Sequence, residues 1–234
     1  MDKSRYRLRE ARKDDIPSMV DVFFHSQLPR HPLNSCPLTS WLTCHVGFNA
    51  PFWQHLFANN DYHRKWFAES FAIGIDNPTD RNFVIEDTQK GNRVAAFSRW
   101  MMPQSDGNQE RKWPEMVPEE YDMEIIEKFF GGMEVNREQL MGKRPHWCKS
   151  TLVDSNSRFP MPGHADSAAP VLELLATHED YQKQGLGSEL IHWGTHQADK
   201  DNLETYLDAS EKGQPFYKAH HGFKFAKDID IPDR

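Results

Sequence analysis

The sequence predicts an α/β domain in which a central mixed, twisted sheet carries helices on both faces. Three observations predict it. The run Val171-Leu172-Glu173-Leu174-Leu175-Ala176-Thr177 is nearly apolar at every position, as a strand covered on both faces is. The residues after it read strand, glycine turn, helix, strand, helix, strand. Two strand-like runs, 82–87 and 93–101, flank Gln89-Lys90-Gly91-Asn92, whose turn residues suit a hairpin.

In chain order, residues 5–11 alternate, with Tyr6, Leu8 and Glu10 on one face of a short strand. Asp14-Asp15 offers an N-cap and Pro17 fits a first helical turn. Ile16, Met19, Val20, Phe23 and Phe24 follow at helical spacing, and the helix should end near Leu28-Pro29. Between 29 and 80, Pro29, Pro32, Pro37 and Pro51 break the chain into short pieces. Bulky residues such as Phe52, Trp53, Trp66, Phe67 and Phe71 suit either ordinary core or the wall of a substrate cavity. Residues 103–120 read as loop. Residues 122–141 read as helix, with Gly131-Gly132 as a place to bend. Pro145–Cys148 begins a strand, but 149–170 has loop composition and reads as an insertion that delays the strand at 171. Past that strand, a helix should present Leu186, Leu190, Ile191, Gly194 and Ala198. Residues 205–209 form a strand, Gly213–His221 a helix closed by Gly222, and 223–225 a last strand.

The 234 residues fit one domain with additions, at about 150 residues per domain. Hydrophobic residues at 38% and charged residues at 27% are ordinary for a water-soluble globular chain. A net charge of −7 argues against non-specific nucleic-acid binding, which needs a basic footprint. No apolar run approaches the ~20 residues that span a bilayer. The polar start has no secretory h-region. Cys36, Cys44 and Cys148 are too few and too scattered for a disulfide framework or a thiolate zinc site. A reduced, cytoplasmic protein without membrane or nucleic-acid partners is the expectation; nothing in the sequence reports the oligomeric state.

The turn Gln182-Lys183-Gln184-Gly185-Leu186-Gly187 follows a strand and opens a helix. Such a turn is a ready anion site: its N–H groups point inward, glycines allow close approach, and the helix N-terminus carries about half a positive charge. The same spacing also serves tight turns with no ligand. A dinucleotide site would need a third glycine, and a P-loop would need Gly-Lys-Ser/Thr; neither is present.

The segment 174–187, followed by Tyr206-Leu207-Asp208-Ala209-Ser210, Phe216-Tyr217 and Gly222-Phe223, resembles the GNAT family of N-acetyltransferases, and most resembles its fungal members. The family's [Arg/Gln]-x-x-Gly-x-[Gly/Ala] motif falls on Gln182–Gly187, and its closing Tyr…Gly-Phe pattern on Tyr217, Gly222 and Phe223. The strong match covers 171–226; the rest agrees in element order only. The chain departs from the family in carrying Glu179 where Pro is frequent and in having fewer cations through the turn.

The resemblance implies the acyl-CoA N-acyltransferase fold and acetyl-CoA as co-substrate. It also implies direct transfer to an amine, with a small-molecule acceptor as the expectation. It places the pyrophosphate over Gln182, Lys183, Gln184, Gly185, Leu186 and Gly187. The acyl carbonyl would lie on a backbone N–H of Leu175, Ala176 or Thr177. Tyr217 becomes the acid toward the leaving thiolate, against the plainer reading of a half-buried packing ring. Glu173 is the candidate base, since a carboxylate between Leu172 and Leu174 has its charged form disfavoured by apolar neighbours. The plainer reading of Glu173 is a structural partner for a neighbouring strand or an arginine. Asp208 and Ser210 could touch cofactor or substrate, and Ser210 equally suits an N-cap. A non-catalytic acyl-CoA-binding module, or a related enzyme turned to other chemistry in secondary metabolism, remains an alternative. His192 and His196 share a helix face, but Trp193 stands where a zinc hydrolase needs Glu, so a surface or packing role is expected.

Overall fold

A computed structural model of the chain describes residues 1–26, 56–102, 113–141, 171–209 and 213–229. The element order is β1 (Tyr6–Glu10), α1 (Ile16–Ser26), α2 (Asp61–Asp76), β2 (Asp80–Asp87), β3 (Arg93–Met101), α3 (Met123–Met141), β4 (Val171–Thr177), α4 (Leu186–Asp201), β5 (Tyr206–Leu207) and α5 (Gln214–His221). The five strands form one mixed sheet in the order β1-β2-β3-β4-β5. The first three pairings are antiparallel and β4–β5 is parallel. The expected segment at 145–148, the insertion at 149–170, Phe52, Trp53 and Ser210 lie outside the described residues.

Two apolar layers hold the sheet between helices. On one face Met19, Phe23, Phe67, Phe71 and Phe97 lie within a core bounded by α1, α2 and α3. Phe23 meets Phe67 at 4.0 Å between ring centroids, and Phe71 meets Phe97 edge to face at 5.2 Å. The aromatic run therefore includes true core: Trp66, Phe67 and Phe71 are all buried. On the other face α4 lays down Leu186, Leu190, Ile191, Gly194 and Ala198, the stripe that its spacing predicts, and all five are buried. Gly194 is required there, because a Cβ would overlap the Trp100 indole beneath it.

The hairpin forms as expected, with a short 3-10 turn at Thr88–Lys90 and left-handed Gly91 (φ 64°) and Asn92 (φ 60°) returning the chain. A 3-10 turn at Lys13–Asp15 precedes α1. The Asp15 carboxylate accepts from the Arg12 N–H at 2.7 Å and is gripped by Arg9 through two 2.7 Å bonds. Helix α3 runs unbroken through Gly131-Gly132.

Three expectations are corrected. Strand β4 is not covered on both faces: Leu172 and Ala176 are buried, but Glu173, Leu174, Leu175 and Thr177 are only partly so. The reason is that β5 spans two residues, not five. It pairs Val171 with Tyr206 and Leu172 with Leu207, and β4 then continues without it. Residues 223–225 form no strand. That stretch leads to α3, where the Asn136 amide donates to the Asp228 carbonyl at 2.7 Å and Ile229 packs on Gly132. The contacts with the helix are made by Asp228 and Ile229, past the stretch itself, where Phe225 stays half exposed.

Candidate active site

Among the described residues, the parting of β4 from β5 after Leu172 leaves Glu173–Thr177 paired on one side, with β3. Along that pairing the register skips one residue: Arg99 faces Leu174 and Trp100 faces Leu172, so Glu173 is the extra residue of a bulge. The chain leaves β4 through a 3-10 turn at Glu179–Tyr181 and enters the glycine turn.

Two left-handed residues shape this turn, Lys183 (φ 61°) and Gly185 (φ 77°). Such alternation curls successive N–H groups around one concavity. Gly185 caps α4 with no side-chain hydrogen bond. The first amides of the helix, at Leu186, Gly187 and Ser188, therefore keep the free donors of any helix start. A side chain at Gly185 would be strained by its φ and would stand 3.0 Å from the Met1 backbone nitrogen. At Gly187 there is room: a Cβ would lie 3.7 Å from Phe216 Cζ and 3.9 Å from both Leu175 Cδ2 and Thr177 Oγ1. One point therefore has the end of β4, the start of α4 and the ring of α5 within 4 Å.

The two glutamines act within the protein. Gln182 Nε2 donates to the Thr177 carbonyl at 3.2 Å, tying the turn to the end of β4. Gln184 Nε2 donates to the Asp180 carbonyl at 3.3 Å, and its Oε1 accepts from the buried Tyr6 hydroxyl at 2.5 Å. Sequence reasoning treated both as cradle residues and missed this bracing role; Gln184's partner Tyr6 sits in β1, so no local pattern announces it. Lys183 is exposed and is the cation of the turn.

Tyr217 lies on α5, half-buried, with its ring against Phe216 (5.3 Å) and Phe223 (5.9 Å). Burial pushes its phenol up to about 12. Glu173 is on the opposite face of the sheet, and its surroundings are not apolar. Arg99, fully buried on β3, brings its Nε to 3.1 Å from Glu173 Oε2. The apolar sequence neighbours Leu172 and Leu174 do not describe this environment, because the guanidinium arrives from the adjacent strand. The split edge of β4 lies between Glu173 and Tyr217. Leu175 and Thr177 border the glycine turn, whereas the Ala176 side chain is buried in the core on the α1 side. The Asp208 carboxylate accepts from the Tyr206 hydroxyl at 2.7 Å.

The histidines play other parts. His192 meets His221 edge to face at 5.2 Å, and His221 Nε2 lies 3.2 Å from Ser188 Oγ. His192 and His196 also line a cavity of about 450 Å³ with Leu8 and Trp193, on the β1 side of α4. Among the described residues, no group of three His, Cys, Asp or Glu side chains is placed to hold a metal. Among the same residues, no helix is long and apolar enough to cross a membrane.

A mixed sheet split beside a glycine turn that opens a helix defines the acyl-CoA N-acyltransferase fold. Residues 158–225 match the family model of the acetyltransferase (GNAT) domain. No curated protein matches the sequence. Among solved structures, the chain is similar to a histone acetyltransferase HPA2 and related acetyltransferase from Corynebacterium glutamicum, at 15% identity and a TM-score of 0.45, over 92% of this chain and 83% of that one. It is similar to an acetyltransferase from Clostridium acetobutylicum determined with acetyl-CoA, at 11% identity and a TM-score of 0.45, over 97% and 96%. It is similar to glucosamine-6-phosphate N-acetyltransferase from Arabidopsis thaliana, at 11% identity and a TM-score of 0.42, over 98% and 97%.

Proposed function

We propose that the protein transfers an acetyl group from acetyl-CoA directly to the amine of a small-molecule acceptor, as a cytoplasmic enzyme. The observation that carries this reading is the meeting of two features at one place: the β4 edge freed after Leu172 and the amide cradle of Lys183–Ser188. In the proposed arrangement the pyrophosphate lies over Gln182–Gly187 and pantetheine enters the split. The thioester carbonyl is held by an N–H of Leu175, Ala176 or Thr177. The acceptor nitrogen attacks the carbonyl carbon, its proton passes to Glu173, and the C–S bond breaks.

Tyr217 serves the departing sulfur. A phenol held near 12 stays protonated at every physiological pH. Handing its proton fully to a thiolate whose thiol titrates near 8.5 is uphill by about 5 kcal/mol. Tyr217 therefore acts in this reading as a hydrogen-bond donor that stabilises the forming thiolate. The net charge of −7 favours a cationic acceptor over an acidic one.

A second reading, an acyl-CoA-binding module without turnover, draws on the Arg99–Glu173 contact, since a carboxylate already paired is a poorer base. One experiment separates the two. The protein is incubated with acetyl-CoA and a panel of primary amines while free thiol is followed, and acetyl-CoA binding is measured in parallel by calorimetry. Amine-dependent thiol release supports the enzyme; binding with no release on any amine supports the module.

A further inference from the structure

We propose that Arg99 is a positioning residue for Glu173. Its buried guanidinium, anchored by Asp80, sets the Glu173 carboxylate at the β4 bulge beside the open edge of the strand. The inference rests on the reading of Glu173 as the group that receives the acceptor's proton.

Arg99 is held from several directions. Its Nε and Nη2 donate to Asp80 Oδ2 at 3.0 and 2.7 Å, and its Nη1 donates to the Ser70 carbonyl at 3.1 Å. The Trp113 ring stands 5.6 Å from the guanidinium carbon. Helix α2 makes room for it with Gly74, where any Cβ would overlap the guanidinium. Both Arg99 and Asp80 are fully buried at the side chain.

Burying such a pair costs several kcal/mol per ion, and apolar residues of the same volume often stabilise a core as well or better. Stability alone is therefore a weak reason for a buried arginine here. The third member of the group gives a stronger one. Glu173 keeps 12% of its side chain exposed, where its partners keep none. Asp80 takes two N–H groups, one of them the Nε that also faces Glu173. Glu173 is thus oriented by the guanidinium but claims only a share of it. A proton acceptor must be fixed in place, and a buried guanidinium anchored elsewhere does that. In the transfer, the acceptor nitrogen forms its bond to the acetyl carbon and yields a proton to a Glu173 oxygen. The sulfur leaves with its electron pair, hydrogen-bonded to Tyr217.

Among the described residues, the charged groups facing Glu173 are Arg99 of β3 and, behind it, Asp80 of β2. They act in opposite directions, which gives a test with two signs. The free protein is labelled with 13C at glutamate carboxyls and titrated by NMR, the Glu173 signal being assigned by its loss in Glu173→Gln. In Arg99→Lys the midpoint of Glu173 should move to higher pH, because the forked cation is gone. In Asp80→Asn it should move to lower pH, because the guanidinium is less compensated. Midpoints unchanged in both variants would overturn the proposal. Should Arg99→Lys fail to fold, the Asp80→Asn arm decides alone: movement downward supports the coupling and none rejects it. Thiol release by Glu173→Gln, with acetyl-CoA and the best amine of the panel, tests the underlying reading separately. A retained rate there would remove Glu173 as proton acceptor whatever the titrations show.

Discussion

The Tyr6 hydroxyl donates to Gln184 Oε1 at 2.5 Å, so the first strand of the chain holds the turn that opens α4. Tyr6 is buried, and Gln184 also donates to the Asp180 carbonyl. Tyr6→Phe removes one hydrogen bond and keeps the ring. It should cost about 1 kcal/mol of stability, the net worth of such a bond. Acetyl-CoA should bind up to about fivefold more weakly, since that energy now goes into ordering the turn. Denaturant unfolding and calorimetry measure the two effects, and equal affinity in both proteins would show that the turn is rigid without Tyr6.

Gly187→Glu is expected to abolish acetyl-CoA binding while the protein stays folded. A Cβ at this position meets only ordinary contacts, the nearest at 3.7 Å, so the backbone can accept it. The carboxylate would enter a concavity of N–H groups and oppose the pyrophosphate there. Gly187→Ala is the control and should bind far better than Gly187→Glu. Calorimetry on both, with circular dichroism for the fold, makes the check.

Tyr217→Phe should lower kcat by about 10²–10⁴, the span of a positioned proton donor, with little change in acetyl-CoA affinity. Because burial holds the phenol near 12, no alkaline fall in rate below about pH 10 should trace to it. A wild-type kcat in the variant would return Tyr217 to packing against Phe216 and Phe223.

His178 predicts how stability responds to acid. The ring is buried, stacks on His25 at 4.9 Å and receives the Arg93 guanidinium at 3.0 Å. Burial first, and then Arg93, hold its pKa below the ordinary value. The unfolded chain thus takes up this proton more readily than the folded one, and stability rises with pH. The contribution is complete above about pH 6.5 and is lost as pH falls toward the lower folded value. Urea midpoints at pH 7.5 and 5.5 should differ by less in His178→Gln than in the wild type. An equal difference would assign the acid response to other groups.

Features written in local spacing were legible in the sequence. Helix α4 declares its buried face through Leu186, Leu190, Ile191, Gly194 and Ala198, because one helix repeats its own period. The glycine turn was legible for a similar reason: backbone conformation there depends on Gly185 itself. What distant partners decide was not legible. An arginine partner for Glu173 is open to the sequence only as its plainer reading; which arginine it is, and that Asp80 and Gly74 set Arg99's own place, no local spacing announces. The two-residue length of β5 reflects how strands diverge in space, which the composition of residues 205–209 does not encode. Residues 223–225 have strand-like composition but pair with no strand among the described residues, and the chain beyond them settles on α3.

The narrow seam between β4 and β5 has a consequence for how the protein opens. Among the described residues, the pairings Val171–Tyr206 and Leu172–Leu207 alone tie β5 to the sheet, so little backbone bonding there stands between β5 and exchange with solvent. Segments held this way open locally at a free energy well below that of global unfolding. A ligand that touched β4 and α4 on one lip and α5 on the other would act as a staple across the seam. At a hundredfold excess over Kd such a ligand adds about 2.7 kcal/mol to the cost of opening. Amide protection in residues 206–209 and 213–221 would then rise on ligand binding with no new protein–protein bond formed.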